Sequence, residues 1–287
     1  QALEGYARLQ SDFQESDADD LREAAADAAL AQARLLADKD WPGALQAMDA
    51  LLRTHGGSSS TGIRQTLALA HLDRVFWWHL SSLAAPEHSS KPEQAVLACE
   101  QMEAQFSDTD SVIEVRCLGR CLQAHAEALH ELADQTEDEE QAASLTSRAE
   151  ALSEQHWQRH CGHADAQVRR TAVIAWINAL EMRDEEAARQ GYGQVLERLG
   201  EDRVAALQEP LARAWYRLAG TEETLGSPEQ ALETLEALRR RFADDDDAAV
   251  RLVVGRAMRQ KARLLNRTGQ HEAALGALED MTRLSLP

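Results

Sequence analysis

The sequence predicts an all-α array of stacked helical hairpins, and three observations carry that reading. The vocabulary is helical: Ala, Leu, Glu, Gln and Arg dominate, while 15 glycines, 6 prolines and a 5% aromatic share are few for 287 residues. Straight-chain residues lose little rotamer freedom in a helix. No run of alternating β-branched residues marks a strand. Finally, the chain repeats itself: KPEQAVLACEQMEAQFSDTD (91–110) returns as SPEQALETLEALRRRFADDD (227–246).

The repeat holds at a constant offset of 136, from Pro92 to Pro228. It carries Phe106 onto Phe242, Asp108 onto Asp244, Gly119-Arg120 onto Gly255-Arg256, Ala126 onto Ala262 and Leu129 onto Leu265. The chain start joins in, with Gln1 to Glu4 matching Gln230 to Glu233 and Phe13 falling 93 residues before Phe106. Offsets of 93 and 136 are two and three units of about 45 residues, the signature of stacked repeats.

The elements follow in order. Residues 1–13 read as the second helix of a truncated repeat, and hairpins are predicted at 21–55, 63–106, 112–160, 167–199, 204–242 and 248–284. Turns fall at Thr54–Gly62, Ala84–Lys91 and Thr136–Gln141. The Gly/Ser-rich first turn is too short to divide domains, so residues 1–287 are expected to form a single array. In the last complete unit Ser227 is a natural N-cap, and Pro228 suits a first helical turn, where its missing N–H has no role. Leu232, Leu235 and Leu238 form the apolar stripe. Arg239 to Arg241 close this helix and Asp244 to Asp247 precede the next, each sign suiting the macrodipole there. These charge runs therefore read as helix punctuation. A long helix follows through Val250, Val254, Met258, Ala262 and Leu265, stopping at Gly269 as a C-cap.

Trp215-x-x-Leu218-Ala219, then Gly226, then Ala231 resembles the signature of the tetratricopeptide repeat family. Ala262, Leu265, Gly269 and Ala274 repeat most of it. The unit here is longer, at about 45 residues against the family's 34. The resemblance implies a right-handed α-solenoid of about six stacked antiparallel helical hairpins, with the first helix of each hairpin lining a concave groove. It also implies a scaffold for protein–protein interaction.

The formal charge is -19, which opposes binding to phosphate backbones over a Debye length; nucleic acid is not an expected partner. No apolar run approaches the roughly 18 residues of a membrane span, and no leader pattern is visible, so neither a membrane partner nor a signal peptide is expected. Cys99, Cys117, Cys121 and Cys161 form no disulfide framework and read as reduced thiols, consistent with a cytoplasmic location. A start at Gln1 suggests an excerpt of a longer protein.

Chemistry is weakly signalled. In HWQRHCGH, His156 and His160 share a helix face with Cys161 and His163 close by, a set zinc can use. No second ligand cluster accompanies them, and histidine suits a helix end for dipole reasons, so no metal is expected. Cys117 and Cys121 stand four apart, but Cys121 aligns with Ala257 and reads as a small buried residue. Phosphate-loop, nucleophile-elbow and zinc-protease motifs are absent. Neither catalysis nor a cofactor is expected.

The expected partner is a protein or peptide with an acidic segment or a free carboxylate. On the resemblance, Arg256, Arg259, Arg263 and Arg267 face the groove at helical spacing, beside Arg213, Tyr216 and Arg217. Arginine recognises carboxylates bidentately. Toward the N-terminus the matching positions are mixed: Arg120, Glu127, Asp27 and Arg34. Phe76 and Trp77, beside Trp78, are candidate aromatic anchors. The alternative is a sensor or regulatory arm of a larger enzyme or signalling protein.

Overall fold

The computed structural model describes residues 2–84 and 91–283, with 79–84 and 283 described by backbone alone. Most of the turn expected at Ala84–Lys91 lies outside the described residues, as do Gln1 and Leu284. Among the described residues the regular elements are thirteen α-helices. They are α1 (Ala2–Phe13), α2 (Asp19–Ala37), α3 (Trp41–His55), α4 (Thr61–Ala84), α5 (Pro92–Phe106), α6 (Val112–Gln135) and α7 (Glu139–His160). They continue with α8 (Ala166–Leu180), α9 (Glu185–Leu199), α10 (Ala205–Thr224), α11 (Pro228–Phe242), α12 (Ala248–Arg267) and α13 (His271–Arg283). The chain forms two compact units, Gln1–Ser153 and Glu154–Pro287.

In the first unit, α1 packs on α2, α2 pairs with α3, and α4 pairs with α5. The leading helices also lie side by side, α2 with α4 and α4 with α6. Alanines make this close approach sterically cheap: Ala26, Ala29, Ala33, Ala68 and Ala124 are buried in the same core as Met48, Leu51, Leu67, Met102 and Phe106. One charge is buried with them. Glu114 is 2% exposed, and Arg64 Nη2 donates to it at 2.6 Å while the Thr109 hydroxyl donates at 2.7 Å. Full pairing offsets the desolvation that would otherwise expel such a group.

In the second unit α8, α10 and α12 lie side by side, and α9, α11 and α13 pair with them in turn. Trp157, Tyr192, Leu235, Leu238, Phe242 and Met258 centre its core. Gly191 is where α9 meets α8, because a Cβ there would strike Leu180. Pro210 lies inside α10. Helix ends follow the charge punctuation: Asp247 accepts from the amides of Ala249 and Val250 at 2.7 and 3.3 Å, and Asp165 caps α8 the same way. Ser227 differs from expectation, since its side chain makes no cap bond and only its carbonyl takes the Ala231 amide.

Two glycines close the leading helices. Gly226 and Gly269 have φ of 77° and 78°, a left-handed conformation that costs other residues. Behind each, the C″ and C′ amides bond back across the last turn: Ser227 to Glu222 and Gly226 to Glu223, then Gln270 to Leu265 and Gly269 to Asn266. These are paired Schellman closures.

Phe242 is 1% exposed and meets Trp215 edge-on at 5.7 Å. Phe242→Ala is expected to lose about 3–5 kcal/mol in urea unfolding, and Gly269→Ala about 1 kcal/mol. Equal small losses from both would contradict this packing.

Candidate functional site

The sequence-predicted residues divide between the two units. In the second, the joined face of α8, α10 and α12 carries Arg213, Tyr216, Arg217, Arg256, Arg259, Arg263 and Arg267. Their spacing of three and four along each helix places them on one side, while Ala212, Ala214, Ala219, Val254, Ala257 and Met258 turn into the core.

These arginines are not equivalent. Arg217 Nη2 lies 2.8 Å from Glu181, and Arg213 reaches Glu181 at 3.7 Å, Glu209 at 3.9 Å and the Asn178 side-chain oxygen at 3.2 Å. Arg267 donates to Glu223 at 2.5 Å, beside Gln260, which donates to the same carboxylate at 3.0 Å. These three are therefore neutralised by the preceding helices. Arg256, Arg259 and Arg263 are exposed and make no ion pair among the described residues. They leave one strip of uncompensated positive charge on α12.

Arg256 and Arg259 line a groove of about 630 Å³ with Tyr216, Arg217 and Leu252. Leu252 was not singled out from sequence, yet it is 47% exposed and forms the apolar wall. The signal was available, because Leu252 precedes Arg256 by four and shares its stripe. On the α8 side, Arg217 and Tyr216 also border a polar cleft of about 410 Å³ with Glu181, Tyr192 and Arg263. Burial, with Glu181 nearby, pushes the Tyr192 phenol up to about 12.

In the first unit, Phe76 and Trp77 are half-buried and pack against the core. Trp77 lies 5.5 Å from Trp41, and the Arg120 guanidinium sits 4.6 Å over Phe76. The structure thus gives both rings intramolecular contacts. Arg34 is likewise held by Asp73 at 2.6 Å, and Asp27 accepts from the Thr66 hydroxyl at 2.5 Å.

The cysteine and histidine groups take unexpected partners. All four thiols are free and buried. Cys121 faces Cys99 of α5, each sulfur directed at the other's carbonyl at 3.9 and 3.6 Å. Burial raises the Cys117 thiol to about 11. His156 and His160 are 1% and 4% exposed with ring centres 5.0 Å apart, and none of their four ring nitrogens has a hydrogen-bond partner. Cys161 instead accepts from Arg198 at 3.2 Å, and His163 Nδ1 accepts from the Asp165 amide. Among the described residues no group of three or more His, Cys, Asp or Glu is arranged to hold a metal ion.

Comparison with known proteins adds the family context. The family model described as Tetratricopeptide repeat matches residues 212–254, from α10 through α11 into α12. The match supports a tetratricopeptide-like helical repeat in this chain, and such repeats mediate protein–protein interactions. No curated protein matches. Among solved structures, a chain from "Computational Design of Self-Assembling Cyclic Protein Homooligomers" is 16% identical over 99% of this chain and 90% of its own, with a TM-score of 0.23. No helix among the described residues is long and apolar enough to cross a membrane.

Burial holds His156 at about 3 and His160 at about 4, with His160 and Arg159 adding to the first and Arg159 and His163 to the second. The unfolded chain, titrating near 6.5, takes up these protons first as pH falls. Stability present above pH ~6.5 is therefore lost from there down toward the folded values, at up to ~1.4 kcal/mol per pH unit for each histidine. Urea unfolding at pH 7 and 5 should show this loss, with a smaller slope in His156→Phe; equal stability at both pH values would contradict it. Ellman's reagent should meanwhile react with the native thiols far more slowly than with the urea-unfolded chain.

Proposed function

We propose that this chain is a protein–protein interaction scaffold whose α10–α12 face binds a peptide or folded partner through an acidic segment or a free carboxylate. One observation carries the reading: Arg256 and Arg259 stand unpaired beside Tyr216 and Leu252 in the groove, in a chain of formal charge -19. Where most of the molecule repels an acidic ligand, this strip attracts it. Guanidinium groups offer forked donors that match a carboxylate, and a phenol with an adjacent leucine supplies apolar contact. Arg213 and Arg217 are already engaged with Glu181, so they hold the groove wall and add less to ligand charge.

The global charge argues against nucleic acid as the ligand, because a long polyanion extending past the strip would lie within the roughly 8 Å Debye length of the surrounding negative surface. The family's usual role, a scaffold without catalysis, agrees with this reading.

The test is an affinity pull-down from the source lysate read by mass spectrometry, comparing wild type with Leu252→Asp/Arg256→Glu. Circular dichroism would check that both remain folded. At least one protein partner should be lost from the variant, and its binding to wild type should weaken as salt rises. Retention of an identical partner set would remove the groove from the account.

A further inference from the structure

The last hairpin repeats the one before it at an offset of 43. α12 falls on α10, Gly269 on Gly226 and α13 on α11. Each residue on the outer side of α12 and α13 therefore has a counterpart whose covered state is visible. That outer side holds a groove of about 400 Å³ between Arg259, Ala262, Arg263 and Asn266 of α12 and Leu275 and Leu278 of α13.

The interior counterparts are Tyr216, Ala219, Gly220, Glu223, Leu232 and Leu235, and there α12 packs along the ridge, with Ala219 and Leu235 fully buried and Tyr216 and Gly220 at the edge of the polar cleft. α12 brings Gln260 within 3.8 Å of where a Gly220 Cβ would stand, and Gln260 and Arg267 both donate to Glu223. Leu235 is fully buried and Leu232 packs against the Ala262, Leu265, Ala274 and Ala277 cluster. On the outer side Leu278 is 38% and Leu275 63% exposed. The same ridge thus exists twice, packed against a helix once and, among the described residues, uncovered once.

The charge has changed between the two copies. The interior face presents Glu223 and receives the cation of α12. The outer face has Asn266 at that position, Arg259 in place of Tyr216 and Arg263 in place of Gly220. Among the described residues both arginines are exposed and unpaired, and no carboxylate lines the groove. A helix resembling α12, with its own row of arginines, would meet like charge here.

We propose that the α12–α13 groove docks an acidic amphipathic helix of a partner protein, its apolar stripe on Leu275 and Leu278 and its carboxylates on Arg259 and Arg263. The shape follows from the interior copy, and the sign follows from the two arginines. Leucine-type side chains at helical spacing would stand against Leu275 as Ala262 and Leu265 stand against Leu232 one repeat earlier.

The test uses the full chain and a fluorescein-labelled synthetic peptide of about 18 residues, long enough to form a helix on binding, with leucines at i, i+3 and i+7 and flanking glutamates. A matched peptide carries lysines instead. Anisotropy titration should show the glutamate peptide preferred. Leu275→Asp should weaken it by at least ~10-fold, the loss of one buried leucine contact. Arg259→Glu/Arg263→Glu should shift preference to the lysine peptide, and Leu252→Asp/Arg256→Glu should leave binding unchanged. That last variant separates this site from the α10–α12 groove. Leu275 is exposed, so the substitution should preserve the circular dichroism melt. Equal binding of both peptides, indifference to Leu275→Asp, or a wild-type dimer abolished by Leu275→Asp without peptide binding would each overturn the proposal.

Discussion

A helical hairpin has apolar surface on two sides and can bury only one of them within itself. Everything else in each unit follows from that constraint. Leu211 of α10 and Leu235 and Leu238 of α11 share one core with Val253, Val254, Ala257 and Met258 of α12, which packs against both helices of the hairpin, and Ala231, Leu235 and Leu238 are fully buried. Stability is therefore shared between neighbours, as in other stacked repeats. Small residues recur at the junctions because the leading helices must approach closely: Ala26, Ala29 and Ala33 in one unit, Ala212, Ala219 and Ala257 in the other.

The same constraint organises charge. Carboxylates at the rim of one hairpin meet cations from the next: Glu181 with Arg217, Glu223 with Arg267, and Glu236 with Lys261 at 2.6 Å. Arg239 first, and then Lys261, hold Glu236 down at about 2. These half-exposed pairs contribute little energy individually, but they consume cations that are scarce in a chain with 30 basic and 49 acidic residues. The exposed arginines left over on α12 line the openings on both sides of that helix, toward α10 and toward α13.

Much of the fold was legible in the sequence because hairpin spacing and helix ends are local. The PEQA repeat marked the starts of α5 and α11, Gly226 and Gly269 marked the ends of α10 and α12, and Asp247 capped where the aspartate run stood. The arginine stripe was legible for the same reason, being a matter of helical spacing. What could not be read depends on contacts between elements. Glu181 neutralises Arg213 and Arg217 from another hairpin, Cys121 faces Cys99 across a helix pair, and Trp41 meets Trp77 from a different hairpin. Ser227, at φ and ψ of -112° and 64°, makes no side-chain cap bond, which its residue type does not reveal. Leu252 and Leu275 were visible as letters, but only their exposure distinguishes them from core leucines.

Amide hydrogen exchange across the second unit tests the stacking account most directly. If each hairpin is stabilised by the one laid over it, protection should be greatest in α10–α12 and fall markedly in α13, whose outer ridge no described residue covers. Opening free energies graded in that order would agree with the account. Uniform protection, with α13 exchanging as slowly as α10, would mean that the last hairpin is stable without a neighbour and would contradict it.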